Sequence, residues 1–270
     1  MKLNWEQRLQ SIVDFWRFNR YGLTEYVIRD GKKHPFAIIC PGGGYGMVCS
    51  FVEGKPFAKK LNEMGYSAFV VYYRIKKKAK FPAPQDDLAR AVSDILARAE
   101  ELNLDTEGYS VWGSSAGGHL AASFGTEAMG YPKYNLPKPG ALVLTYPVIT
   151  MGEKTHIGSR ENLLGKNAGE DLIRMASVER QVTAAYPPTF LWCGDADKCV
   201  DPDNSHMMEA ALKAKNVPCK FVEYPGVDHG VGLGTGLACE GWIDKAVEFW
   251  EACRDTILKD STMHYFTEAR

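Results

Sequence analysis

A chain of 270 residues with 45% hydrophobic and 24% charged residues can bury a sizeable core, which excludes a disordered polypeptide and points to one α/β domain. Lys and Arg number 32 against 33 Asp and Glu, a formal net charge of −1, so no basic excess exists to drive binding to nucleic acid. The longest apolar runs, such as residues 68–73 and 141–146, are far too short for a bilayer, and the first residues lack the apolar stretch of a secretory signal, so a cytoplasmic protein without membrane contact is expected.

Residues 4 to 20 carry Trp5, Leu9, Ile12, Val13 and Trp16 at helical spacing. A short strand is expected near Tyr26 to Ile28, with Asp30-Gly31 as a turn, so residues 1–35 read as an N-terminal helix and strand packed on the core. From 36 to 270 strands and helices alternate. Strands are expected at Phe36 to Cys40, Ser67 to Tyr73, Tyr109 to Trp112, Ala141 to Tyr146, Thr189 to Cys193 and Lys220 to Tyr224. Helices are expected at Pro56 to Met64, Asp86 to Leu102, Gly117 to Ala128, Asp203 to Lys215 and Gly241 to Leu258. The second of these has one apolar face, formed by Leu88, Ala91, Val92, Ile95, Leu96 and Ala99, with Asp86 or Asp87 as its cap. Such alternation implies a mostly parallel sheet covered by helices on both faces. The less regular stretch of about 150–185 reads as an insertion that shapes a pocket. Lys76, Lys77, Lys78 and Lys80 read as a solvated loop.

Gly113-Ser114-Ser115-Ala116-Gly117-Gly118 fits G-x-S-x-G, with a strand directly before it and an Ala-rich helix directly after. That context is what a nucleophile elbow requires: a sharp turn that exposes the Ser115 hydroxyl at a helix N-terminus, between residues small enough for strand and helix to approach. A serine hydroxyl needs a base, and on this kind of elbow the acid and then the histidine follow the serine in the chain. Of six histidines, His229 lies in a glycine-flanked loop, Pro225-Gly226-Val227-Asp228-His229-Gly230, after the last expected strand. His34, His119, His156, His206 and His264 lack that setting, and His119, one helical turn past Ser115, is expected to pack beside the elbow. The acid is sought after the preceding strand, where Asp197 is chosen and Asp195, directly after Gly194, is the reserve. Asp197 would orient the His229 ring and stabilise its imidazolium. Pro41-Gly42-Gly43-Gly44-Tyr45 follows the strand at 36–40, and the amides of Gly43, Gly44 and Ala116 are expected to bind an oxyanion. A phosphate loop is excluded there, because no G-K-[ST] follows and no G-x-G-x-x-G opens a helix.

The seven cysteines, an odd number scattered from Cys40 to Cys253, read as free thiols in a reducing compartment. The closest pairs, Cys193 with Cys199 and Cys40 with Cys49, lack the tight spacing of a zinc site, so neither a metal nor a cofactor is expected.

The chain resembles the α/β-hydrolase superfamily and, within it, the acetyl-xylan-esterase-like branch of carbohydrate and short-chain acyl esterases. The resemblance rests on Pro41-Gly42-Gly43-Gly44-Tyr45, Tyr73-Arg74, Phe81-Pro82-Ala83-Pro84, Gly113 through Leu120, Pro187 through Trp192, Asp197 through Val200 and Asp228-His229-Gly230, and spans about 36 to 235. Pro41 stands where lipase-type members carry histidine, and Cys199 and Asp201 depart from the usual acid loop. The resemblance implies an α/β-hydrolase fold and a serine ester hydrolase acting on a small-molecule ester, with acetyl or short acyl groups on sugars as substrates. Tyr45, the 150–185 insertion and the loop after residue 73 are expected to line the pocket. The same three residues would serve an amidase or peptidase, such as an arylformamidase, and a third reading is a non-enzymatic binding protein on this fold. Residues 1–20 are unexplained by the resemblance; docking on the domain or on a second subunit, as a homo-oligomer, stays open.

Overall fold

The computed structural model describes residues 22–268. Seven strands form one sheet in the order β1-β3-β2-β4-β5-β6-β7. They are β1 (Leu23–Tyr26), β2 (His34–Cys40), β3 (Ser67–Val71), β4 (Leu104–Ser114), β5 (Ala141–Thr145), β6 (Thr189–Gly194) and β7 (Cys219–Tyr224). Among the described residues only β1 runs antiparallel, pairing Leu23 with Val71 and Tyr26 with Ala68; every other described ladder is parallel. This is the expected α/β-hydrolase architecture. The first strand lies a few residues earlier than the expected 26–28, because the Ile28 amide leaves the ladder and donates to Ser67 Oγ at 3.1 Å. The helix expected over residues 4 to 20 lies outside the described residues.

Eight helices accompany the described strands, seven between strands and the last after β7: α1 (Ser50–Glu53), α2 (Lys55–Glu63), α3 (Ala83–Ala97), α4 (Ser115–Phe124), α5 (Ile157–Leu163), α6 (Glu170–Ala176), α7 (Asp203–Ala214) and α8 (Trp242–Glu268). Period-2 alternation in the central strands sorts their side chains to two cores. Ile38, Phe69, Val111, Leu144 and Leu191 face α3, α4 and α7. Ile39, Val70, Trp112, Val143 and Trp192 face α2 and α8, where Phe57, Trp242 and Trp250 complete an aromatic cluster. α3 begins three residues before the expected Asp86. Proline at the first helical positions costs no hydrogen bond, so Pro84 opens the helix and does not block it. Asp87 turns away from capping and takes the Arg74 backbone amide at 2.8 Å and its Nε at 2.9 Å.

The insertion carries α5 and α6. Lys76–Lys78 form one exposed 3₁₀ turn, as a solvated loop would. Lys80 differs: its Nζ donates to the carbonyls of Glu161 (3.2 Å) and Asn162 (3.1 Å) at the C-terminal end of α5, where a cation is favoured. Among the described residues no helix is long and apolar enough to cross a membrane.

Candidate active site

β4 ends at Ser114 in extended conformation (φ −113°, ψ 139°), and Ser115 then takes φ 52° as α4 begins. A non-glycine residue at positive φ is strained, and such strain clusters at functional turns. The turn holds because α4 lies against the end of β2 with no room to spare. A Cβ on Gly117 would sit 2.0 Å from the Cys40 carbonyl oxygen and 2.4 Å from that of Pro41. The Ser115 carbonyl is tied in turn by the Val148 amide at 3.0 Å.

Three chain segments converge on Ser115. Its Oγ lies 2.9 Å from His229 Nε2, and His229 Nδ1 lies 2.7 Å from Asp197 Oδ2. Asp197 follows β6 and its side chain is 1% exposed. Its other oxygen accepts the Cys199 and Val200 amides, each at 2.9 Å. An ionised carboxylate only accepts, so Nδ1–H donates to Asp197 and Nε2 is left to accept from the Ser115 hydroxyl. Asp195, the reserve, serves elsewhere: its Oδ1 accepts the Gly226 amide at 2.6 Å and ties the β6 loop to the β7 loop. Asp228 Oδ1 accepts the amides of Lys198 and His229, which pins the two loops together beside the ring.

The glycine turn after β2 forms the opposite wall. Gly43 (φ 122°) and Gly44 (φ 63°) adopt conformations that side chains disfavour. Both line a cavity of about 410 Å³ with Ser115 and His229, and Met47, Cys49, Val52, Glu53, His156 and Asn162 complete much of its lining. Asn162 Nδ2 donates to the Gly44 carbonyl at 2.9 Å, so the insertion braces the turn. Ala116 is buried directly after the serine.

Tyr45 is not brought to the cavity. At φ 55° its ring turns inward, fully buried, edge-on to Tyr73, and its hydroxyl meets His119 Nδ1 at 2.8 Å. Its place is a packing role behind the turn, which corrects the expectation of substrate contact. His119 packs beside the elbow as expected. Its Nε2 lies 2.7 Å from the Ala176 carbonyl, an obligate acceptor, so Nε2 carries the proton and Nδ1 accepts from Tyr45. One neutral ring thereby joins α4, the glycine turn and α6.

Burial pushes the His119 pKa down to about 4, only partly opposed by the Ala176 carbonyl. Unfolded, the ring takes a proton near pH 6.5; folded, it stays neutral until about 4. The unfolded state therefore binds the extra proton across that window, and stability falls as pH drops through it. We expect a loss of about 2 kcal/mol from this group between pH 7 and pH 5. Urea titrations of the wild type and His119→Gln at both pH values check this. An equal drop in both proteins would remove His119 as the cause.

Four residues near the reacting atoms were missed in the sequence: Glu53, Tyr146, His156 and Asn162. Tyr146 packs its ring on His229 with centroids 4.8 Å apart. His156 caps α5, accepting the Ser159 amide at Nδ1 (3.2 Å), and burial together with the nearby His229 lowers its pKa. Among the described residues, no group of three or more His, Cys, Asp or Glu is placed to hold a metal ion.

Comparison with known proteins shows the family to which the chain belongs. The family described as BD-FAE matches residues 26–212. The chain is similar to endo-1,4-β-xylanase B of Butyrivibrio fibrisolvens, with 32% identity over 248 residues, 85% of this chain and 39% of that protein. It is similar to an acetylxylan esterase of Xylanibacter ruminicola, with 32% identity over 200 residues, 72% of this chain and 40% of that protein. The chain thus spans about two fifths of the length of these curated relatives. Among solved structures, the acetyl ester-xyloside bifunctional hydrolase from Caldicellulosiruptor lactoaceticus superposes with a TM-score of 0.79 at 35% identity, over 85% of this chain and 87% of that one.

Proposed function

Because the chain belongs to the BD-FAE family of α/β-hydrolases, we propose that it is a serine ester hydrolase that removes acetyl or other short acyl groups from sugars or small alcohols through an acyl-enzyme. The observation that carries this reading is the unbroken line from Ser115 Oγ through the His229 ring to Asp197, set against the glycine turn in one cavity.

The His229 Nε2 takes the Ser115 proton as Oγ attacks the ester carbonyl carbon. The carbonyl π pair moves onto oxygen, and the amides of Gly43, Gly44 and Ala116 receive that charge, each donor contributing about 3 kcal/mol of transition-state stabilisation. Collapse of the tetrahedral species expels the alcohol, which takes the proton from Nε2. Water then attacks the acyl-enzyme, gives its proton to Nε2, and collapse releases the acid and restores the serine. Asp197 holds the ring so that Nε2 faces Ser115 and balances the imidazolium formed in both halves.

The acyl side is argued from size and lining. A cavity of about 410 Å³ walled by Met47, Cys49 and Val52 suits a short apolar chain. The alcohol side rests on the relatives, whose names include an acetylxylan esterase and an acetyl ester-xyloside hydrolase. Rates on 4-nitrophenyl acetate, butyrate and octanoate, with acetylated xylo-oligosaccharides and a formyl-anilide alongside, test the reading. Acetate is expected to be fastest, octanoate at least about tenfold slower, and the anilide inert. A faster octanoate, or turnover of the anilide alone, would overturn it.

A further inference from the structure

Glu53 sits at the C-terminal end of α1 and is 3% exposed. A buried carboxylate costs several kcal/mol unless its oxygens are satisfied. Here both are. Oε2 accepts the Gly42 amide at 2.7 Å, and Oε1 accepts the Tyr146 hydroxyl at 2.9 Å. Burial still raises its pKa above the ordinary carboxylate range, against the pull of Gly42, Tyr146 and the nearby His229. Among the described residues no cation pairs with it directly, and it lines the cavity that holds Ser115.

The two donors belong to the two halves of the site. Gly42 opens the glycine turn, whose next two residues line the cavity. Tyr146 leaves β5, lays its ring on His229, and accepts the Gly232 amide at 3.3 Å on the same hydroxyl that serves Glu53. One carboxylate thus bridges the turn that would receive the oxyanion and the loop that brings the imidazole. The fit around it is tight, for a Cβ on Gly42 would stand 2.7 Å from Glu53 Oε2.

We propose that Glu53, acting through Gly42 and Tyr146, is a positioning residue that holds the glycine turn and the His229 ring in register for ester hydrolysis. The proposal rests on the reading of Ser115 as nucleophile. The same carboxylate is electrostatically coupled to His229, so its charge would favour the imidazolium that forms during the reaction. Substrate binding is expected to depend little on Glu53, because its oxygens are already taken; the gain lies in the tetrahedral state.

Glu53→Gln keeps the shape and one acceptor and removes the charge. Tyr146→Phe keeps the ring on His229 and removes only the hydroxyl. Wild type and both variants are assayed on 4-nitrophenyl acetate after active-site titration with a fluorophosphonate, and inhibited with an alkylboronic acid that forms a tetrahedral adduct on serine. Glu53→Gln is expected to lower kcat about tenfold with KM within about twofold, and to weaken the boronic acid by a similar factor. Tyr146→Phe is expected to show the same pattern at about threefold. Unchanged kcat and boronate affinity in both variants, or a rise in KM alone, would overturn the proposal. A wild type that turns over no ester would instead remove the function on which it rests.

Discussion

Replacing Ser115 by alanine is expected to lower kcat/KM on 4-nitrophenyl acetate by at least ~10⁴-fold while the fold persists. The reasoning is chemical. His229 Nε2 has one partner to deprotonate, at 2.9 Å, and without that oxygen no acyl-enzyme can form. The amides proposed to bind the oxyanion would remain and could assist direct attack by water, so a small residual rate is expected. Alanine inherits the positive φ at no greater cost than serine, and the midpoint of thermal unfolding is expected to stay within about 3 °C. Initial rates, a fluorophosphonate labelling gel and a melting curve together check this. Wild-type turnover in the Ser115→Ala protein would end the mechanism, because among the described residues Ser115 is the hydroxyl bonded to the imidazole.

The largest structural effect is expected from Gly117→Ala. In an ordinary helix this change is stabilising by up to about 1 kcal/mol. Here the new methyl would lie 2.0 and 2.4 Å from two backbone oxygens of the neighbouring strand end. Backbone carbonyls of a central strand cannot swing aside as a flexible side chain can, so α4 must lift away from β2. We expect a loss of about 3 kcal/mol or more, or insoluble protein, and in any soluble fraction a low kcat because Ser115 moves relative to the glycine turn. Urea midpoints and expression yield measure it. A soluble variant with wild-type stability would show that the helix and strand are less closely packed than these distances require.

The elbow was legible because its requirements are local: a strand, a run of small residues and a helix, all within ten positions. His229 and Asp197 were legible for a different reason. Chain order and the position of each loop after a strand restricted the choice, and the structure joins them to Ser115. Tyr45 shows where local reading fails. A tyrosine after three glycines looks available to a ligand, yet its positive φ and its bond to His119 turn it inward. Glu53 shows the converse. In the sequence it is one acid in an exposed-looking Phe-Val-Glu-Gly-Lys stretch, and only the folding of β5 beside it, 93 positions away through Tyr146, gives it a buried role. The helix expected from Asp86 begins at Ala83 instead, because proline is tolerated at a helix start. Segment types followed from hydrophobic period, while boundaries were set by partners distant in the chain.

The order of the strands has a consequence for synthesis. Ser115 leaves the centre of the sheet, and the ring that serves it arrives 114 positions later, after the outermost strand. No nascent chain still lacking that final edge can present an imidazole to the hydroxyl, however well its first half has folded. On the proposed function, hydrolysis would therefore be a property of finished molecules alone, and its first appearance during cell-free translation would time the closing of the last edge.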